Sequence, residues 1–371
     1  MNQLARPLWA EIDLGAITHN VTALRERAGR PVKLLMPVKA NAYGQGVVEV
    51  SRHLESLGVD GLATANVDDA LAARAAGVEL PILIYGAQLP GGNAFLLEHR
   101  LTPTIYDRGG LDAVAKLATD RPVDVHVKVD AGLGRLGVRL DQAAGFIAAV
   151  VATPGLNLEG LYTHIPYGSV AGEDWCRRRL ADFCALVEQV EHDHGIDIRY
   201  AQAAASSILT GGLPDRLNTI SPGHLTYGLS PVDGIDAEAM GFRKALKSLR
   251  ARLIHVGRRT PGDDLPGGWD RDTPTGVIVF GMDNGYRPAA PGQQATMLCH
   301  GQRCPVLGVS AEYSVIDLSA VPDAVVGDLV TVVGEDGDER ITAEQVAADL
   351  GAPSAAYWMV ALKNIPMRYR G

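Results

Sequence analysis

VKLLMPVKANAYGQG, residues 32–46, begins as an apolar run, ends that run at Lys39, and continues through Asn41 and Tyr43 to two glycines. A short apolar run bounded by turn residues reads as a buried strand, here with Lys39 at its C-terminal end. Similar runs follow at DGLATA (60–65), PILIYG (81–86), LTPTIY (101–106), VDVHVKVD (123–130), LEGLYTH (158–164), IRYAQAAA (198–205) and LTYGLSP (225–231). Between them lie stretches of helical spacing, such as VDDALAARAAGV (67–78) and RRLADFCALVEQVEHDHG (178–195). Strand–helix alternation repeated about eight times predicts an α/β fold, a parallel (β/α)8 TIM-type barrel over residues 1–240. A doubly wound sheet is the alternative, but the repeat count and even spacing favour closure. In such a barrel the C-terminal ends of the strands line the active site, which puts Lys39 there. Beside an apolar strand the amine is partly desolvated, which lowers its pKa and frees it for Schiff-base chemistry.

From about residue 240 the pattern changes to strands joined by turns rich in Gly, Pro and Asp. RARLIHVGRRT (250–260), TGVIVFGM (275–282), QATMLCHGQRCPVLGVSAEYSVIDLS (294–319) and GDLVTVVGEDG (327–337) predict a second, mostly β domain over 241–371. RRTPGDDLPGGWDRDTPTG (258–276) reads as a long polar loop within it. ITAEQVAADLG (341–351) reads as a helix opened by Thr342, with Glu344 nearby, and closed by Gly351.

Of the 371 residues, 47% are hydrophobic, enough for a sizeable core, and 21% are charged, with net charge −9 and no block of one sign. That argues against a nucleic-acid or polybasic membrane partner, yet leaves room for a local anion site built on a few N–H groups. The N-terminal segment shows no apolar core long enough for a signal peptide, and no run of about 18 apolar residues predicts a membrane span. The four cysteines form no C-x-x-C pair, and Cys299, His300 and Cys304 lack a second ligand pair. No metal site is expected, and the cytoplasm is the expected compartment.

K-A-N-A-Y-G at 39–44 resembles the cofactor-lysine motif of the alanine racemase family, and the resemblance runs through nearly the whole chain. WAEIDLGAITHN (9–20) is similar to the family's opening strand and helix, and VHVKVDAGLGRLG (125–137) to its K-V-D-T-G-M-x-R-L-G segment. FGMDNGYRPAA, GVSAEYSVIDLS, VGDLVTVVG and IPMRYR follow the order of the second domain. The resemblance implies pyridoxal 5'-phosphate held as a Schiff base on Lys39. It puts Arg135 near the cofactor's phenolic oxygen and the substrate carboxylate, and Lys128 where some members carry a carbamate. A lone histidine is more often a core residue, but LYTH falls in an ordered series of matches and sets His164 by the pyridine ring. AAASS and ISPGHLTYG resemble phosphate-holding turns, which assigns Ser206, Gly223 and His224 to the phosphate, with Tyr43 adding a hydroxyl. The family's sites are built between chains, implying a homodimer with shared active sites and a small amino-acid substrate.

The departures fall at functional positions. Met282 stands where the family's G-Y-x-D-G motif has its second base, a tyrosine, and a thioether neither takes nor gives a proton. Ser310-Ala311-Glu312 replaces S-M-D; Ser221 replaces the arginine beside the pyridine nitrogen; Ala205 replaces the Asn before the phosphate serine. In place of the Y-R-V-P-R pattern stand Lys363, Asn364 and Met367, with Lys363 expected among the cofactor-holding residues. Racemisation needs a proton removed on one face and delivered on the other. Lys39 is placed for one, and Glu312 and Tyr313, with Tyr286, are the candidates for the second. The expected function is racemisation of a small or modified amino acid. The alternative is a one-base enzyme on the same scaffold, an aldolase for β-hydroxy amino acids or a decarboxylase.

Overall fold

Strands form at Leu8–Asp13 (β1), Lys33–Pro37 (β2), Gly61–Thr64 (β3), Ile82–Ile84 (β4) and Thr104–Ile105 (β5), then at Val123–Asp130 (β6), Val138–Arg139 (β7), Leu156–Tyr162 (β8), Tyr200–Ala205 (β9) and Thr219–Ser221 (β10). The computed structural model describes residues 7–86, 88–89, 91–119, 121–168, 172–213, 215–262 and 270–371. Strands β4-β3-β2-β10-β9-β8-β6-β5 pair in that order, every pairing parallel. The ends of the row meet through a parallel bridge, Leu83 to Thr102, just ahead of β5. The expected eight-stranded barrel is therefore borne out. Strands β3 and β4 are buried along their whole length, as parallel strands covered by helices are.

One barrel strand differs from its sequence assignment. LTYGLSP is not a strand: Gly223–Thr226 is a short helix, and the Tyr227 hydroxyl donates to the Pro37 carbonyl at 2.9 Å. The eighth strand is the preceding Thr219–Ser221, which pairs with β2 on one side and β9 on the other.

The remaining strands are Leu246–Arg259 (β11), Thr273–Ile278 (β12), Thr296–Cys299 (β13), Gln302–Val309 (β14), Ser314–Asp317 (β15), Leu329–Asp336 (β16), Glu339–Ile341 (β17) and Met367–Arg370 (β18). Their sheet runs β17-β16-β13-β14-β15-β12-β11-β1-β18, and β16 also pairs with β11, so six strands close on themselves. Part of the polar loop, residues 263–269, lies outside the described residues. The Ala343–Asp349 helix opens on a reciprocal cap in which Thr342 pairs with Gln345, not with Glu344; Gly351 closes it at φ +67°.

Contacts divide the chain into two compact units. One comprises Ala16–Ala42 and Gly46–Arg243; the other takes Lys244–Gly371 together with the N-terminal segment through Gly15 and Tyr43–Gln45. A cut at residue 240 follows the sequence pattern but misses the N-terminal strand, because β1 pairs antiparallel with β11 and parallel with β18. In the same unit the Tyr369 hydroxyl donates to the Gln45 carbonyl, and a Cβ on Gly44 would collide with the Met359 carbonyl.

Within the barrel, the His126 ring stacks on Tyr200 and occupies the space a side chain at Gly160 would need. Overpacking of this kind costs about 1–3 kcal/mol. Gly160→Ala should lower the urea midpoint accordingly, and adding His126→Ala should restore part of the loss. An unchanged midpoint in the single variant would place the ring elsewhere.

Candidate active site

The turn that carries Lys39 is left-handed. Ala40, Asn41, Ala42 and Tyr43 have φ of 53°, 55°, 53° and 55°. In L-residues this conformation costs roughly 1–2 kcal/mol each. Hydrogen bonds offset the strain. Ala42 N–H donates to the Val38 carbonyl at 2.9 Å, and Gly46 N–H to the Asn41 carbonyl at 3.0 Å. The Asn41 side chain accepts from Val47 N–H at 2.8 Å. Asp69, 7% exposed, reaches in from the Val67–Ala75 helix to accept from Asn41 N–H at 3.2 Å. Burial pushes its carboxyl upward, against the pull of its hydrogen bonds to Asn41, Thr64 and Ala40.

Lys39 is exposed at the barrel mouth, as a group that must meet substrate is. The surrounding protein nevertheless lowers its pKa, first by desolvation and then through the Arg135 charge. Arg135 sits on the loop after β6. The Asp130 carboxylate gathers the N–H groups of Gly132 and Gly134, both at 2.9 Å, and shapes that loop. Lys128, on β6, is 5% exposed, with its ammonium 4.5 Å from the centre of the Tyr162 ring. Burial, then Arg135, bring it down to about 8. His164 follows β8 and is pushed down to about 3 by burial and by Lys128, Arg135, Lys39 and His224. His224 falls to about 4 by burial and Lys39. Five basic groups thus converge on the C-terminal ends of the strands in a chain of net charge −9. The repulsion among the cations Lys39, Lys128 and Arg135 is what an anionic ligand relieves.

The turns after β9 and β10 complete this side. Ser206 is 2% exposed, and its hydroxyl accepts from Leu225 N–H at 3.1 Å, so the Ser206 and Gly223–His224 segments meet. Ser221 ends β10, with its hydroxyl bonded to Tyr85 and to the Leu35 carbonyl. Asp69 and Tyr85 were not picked out in the sequence: one looked like a helix-start acid, the other like the end of an apolar run.

The other predicted residues gather in the C-terminal unit. Met282 N–H donates to the Ser310 carbonyl at 3.0 Å and Asp283 N–H to the Ala311 carbonyl at 2.8 Å. These bonds tie the turn after β12 to the turn after β14. A Cβ on Gly281 would lie 2.6 Å from the Ser310 carbonyl oxygen, so only glycine permits that approach. Met282, Glu312 and Tyr313 are all exposed on this pair of turns. Asp283 also accepts from the Asn364 side chain at 2.9 Å and lies 3.8 Å from the Lys363 ammonium, which brings the C-terminal segment to the same cluster. Tyr286 is different: it is 1% exposed and packs its ring 4.9 Å from Phe280, a core position. Tyr43 is buried on the left-handed turn and belongs to the C-terminal unit.

The family model for the alanine racemase N-terminal domain matches residues 12–231, and that for the C-terminal domain matches residues 248–369. The chain belongs to the alanine racemase family. A relative named alanine racemase from Desulfovibrio desulfuricans is 33% identical, covering 98% of this chain and 98% of its own length. Another from Geobacillus stearothermophilus is 34% identical over 94% of this chain and 90% of that one. The crystal structure of the Bacillus anthracis alanine racemase with bound L-Ala-P matches at TM-score 0.86 and 26% identity, covering 99% of this chain and 95% of that one. The family is pyridoxal 5'-phosphate-dependent, and the activity is that of an amino-acid racemase, an isomerase. The lyase alternative is not favoured. The barrel-mouth residues fit that cofactor, with a desolvated strand-end amine, a buried serine meeting a backbone turn, and a basic cluster for phosphate and carboxylate.

The two histidines give a pH test. Their ordinary value is 6.5, and both fall in the folded chain. Below pH 6.5 the unfolded chain takes up protons that the native site refuses, so stability is intact above that pH and is lost as pH falls towards 4. Urea midpoints followed downward from neutral pH should show this loss, and a His164→Asn, His224→Asn variant should flatten the slope. A steeper slope in the variant would contradict the assignment.

Proposed function

We propose that the chain interconverts the enantiomers of a small amino acid, alanine or a near relative, with Lys39 serving one face of Cα and Tyr313 the other. The observation that carries this reading is the hydrogen-bonded pair of turns bearing Met282, Glu312 and Tyr313. Met282 offers no proton, but the adjacent turn presents a phenol. That turn is tightened by Ser310, whose N–H donates to the Tyr313 carbonyl at 2.8 Å. Tyr313 is 43% exposed, open to solvent and to substrate.

Pyridoxal phosphate, when bound, supplies the ring that withdraws electrons from Cα. Lys39 anchors it and moves a proton at Cα. Arg135 offers its guanidinium to the substrate carboxylate, and neutral His164 packs by the ring without adding charge. Ser206, Gly223, His224 and Tyr43 hold the phosphate, with Lys363 a further cation. The working form is a homodimer in which the C-terminal turns of one protomer complete the barrel mouth of its partner. The compartment is the cytoplasm: no disulfide links the four cysteines, and no helix among the described residues is long and apolar enough to cross a membrane.

Incubation with L- and D-amino acids in deuterated water, followed by chiral analysis and mass spectrometry, tests the chemistry. Wild type should exchange the α-hydrogen with inversion. Loss of a positioned acid–base group costs about 10²–10⁴-fold, so Tyr313→Phe should lose inversion on that scale while exchange with retention persists. Undiminished inversion would exclude Tyr313. Mixed dimers of Lys39→Ala and Tyr313→Phe chains should regain activity, because one of their two sites is intact; no recovery in any mixed fraction would exclude the shared site.

A further inference from the structure

The loop that carries Arg135 is held from three sides. It leaves β6 at Asp130 and returns at once to β7, where Val138 pairs with Val129 and Arg139 with Asp130. At that foot Gly137 packs directly on β6: a Cβ there would lie 2.5 Å from the Asp130 nitrogen, at a φ of +126° that few L-residues adopt. From inside, the Asp130 carboxylate takes the N–H groups of Gly132 and Gly134. From outside, support comes from the Glu173–His194 helix. That helix buries Cys176, Leu180, Phe183 and Val187, which fixes its rotation. Trp175 and Arg179, four residues apart, share a face turned to the loop. A Cβ on Gly132 would stand 3.0 Å from the indole Cζ2 and 3.9 Å from the Arg179 Cδ. The Arg179 guanidinium pairs along its own helix with Asp182 at 3.3 Å, so it offers the loop its stem and not its charge.

Past this contact the crest of the loop is open. A Cβ on Gly134 would meet nothing within 4 Å, and Arg135 and Leu136 are exposed. Arg135 thus stands three residues beyond the indole, yet its charge acts inward, lowering Lys39, Lys128 and His164. We infer that Trp175 is a positioning residue: its indole, packed on Gly132, sets the place of the Arg135 guanidinium and so how tightly the site holds the substrate carboxylate. This rests on the reading of Arg135 given above. Removing the indole leaves the Asp130 hydrogen bonds and the β7 pairing intact, so the loop stays folded but drifts into the vacated space. A guanidinium fork is sensitive to such a drift, because both of its N–H donors must align on the carboxylate at once. Lys39 keeps its own supports at Asn41 and Asp69, so the effect falls on binding and not on proton transfer.

The test compares Trp175→Ala and Trp175→Phe holoenzymes, the second keeping a ring against Gly132. Propionate, which has the carboxylate of alanine without its amine, is titrated by calorimetry, and alanine racemisation is followed by chiral analysis. In Trp175→Ala the propionate Kd and the alanine KM should both rise about tenfold, part of what one charge-assisted hydrogen bond contributes, with kcat within about twofold. Trp175→Phe should fall between that variant and wild type. In an Arg135→Lys background, where the fork is already lost, Trp175→Ala should add little to either constant. Unchanged constants in both Trp175 variants overturn the inference, as does a fall in kcat at constant KM. A rise that persists undiminished in the Arg135→Lys background shows that the indole acts elsewhere and overturns it too. Should Trp175→Ala fail to fold, Trp175→Phe decides by the same criteria. If Arg135→Lys itself binds propionate as wild type does, the reading of Arg135 fails and this inference with it. If Arg135→Lys binds weakly while the Trp175 variants bind normally, this inference alone falls.

Discussion

Four consecutive L-residues in left-handed conformation, immediately after Lys39, are the constraint around which the site is arranged. Such a turn cannot hold itself, since each residue adds strain. It persists because the surroundings over-determine it. Val38 and Asn41 supply backbone acceptors, the Asn41 side chain ties the turn to Val47, and the buried Asp69 takes an N–H from inside it. Gly44 then closes the turn where only a residue without Cβ can pass the Met359 carbonyl. The outcome is an amine at the mouth of the barrel in a direction that an ordinary right-handed helix would not give it.

Electrostatics follow from that placement. Lys39, Lys128, His164 and His224 are all held below their ordinary values, first by desolvation and then by the positive charges beside them. The chain as a whole is acidic, so the basic mouth is a local construction. Its neutral histidines and lowered lysines suit anionic ligands and a nucleophilic amine. The C-terminal cluster is built on a different principle, backbone against backbone. There the exclusion of Cβ at Gly281 lets two turns approach and present Met282, Glu312 and Tyr313 together.

Much of the barrel was legible because parallel strands are apolar on both faces, and seven of the eight strands lie within or overlap runs read from the sequence. The eighth was misread because Thr219–Ser221 has one strongly apolar residue in three, while LTYG beside it is richer but folds as a turn. Strand β1 reads as a strand, yet its partners β11 and β18 lie more than two hundred residues away, and periodicity does not report partners. Lys39, Arg135, His164 and Ser206 were legible as an ordered set. Nothing in K-A-N-A-Y announces a left-handed turn, since alanine favours the right-handed helix. Asp69 reads as a helix-start acid, and the Tyr85–Ser221 contact joins residues remote in sequence.

The proposal that Lys39, and not the buried Lys128, carries the cofactor has a direct test. Borohydride reduction of the holoenzyme fixes pyridoxal phosphate irreversibly to the lysine that holds it, and peptide mapping by mass spectrometry then locates the adduct. The structure predicts the adduct on Lys39 alone. An adduct on Lys128, or on any other lysine, would contradict it.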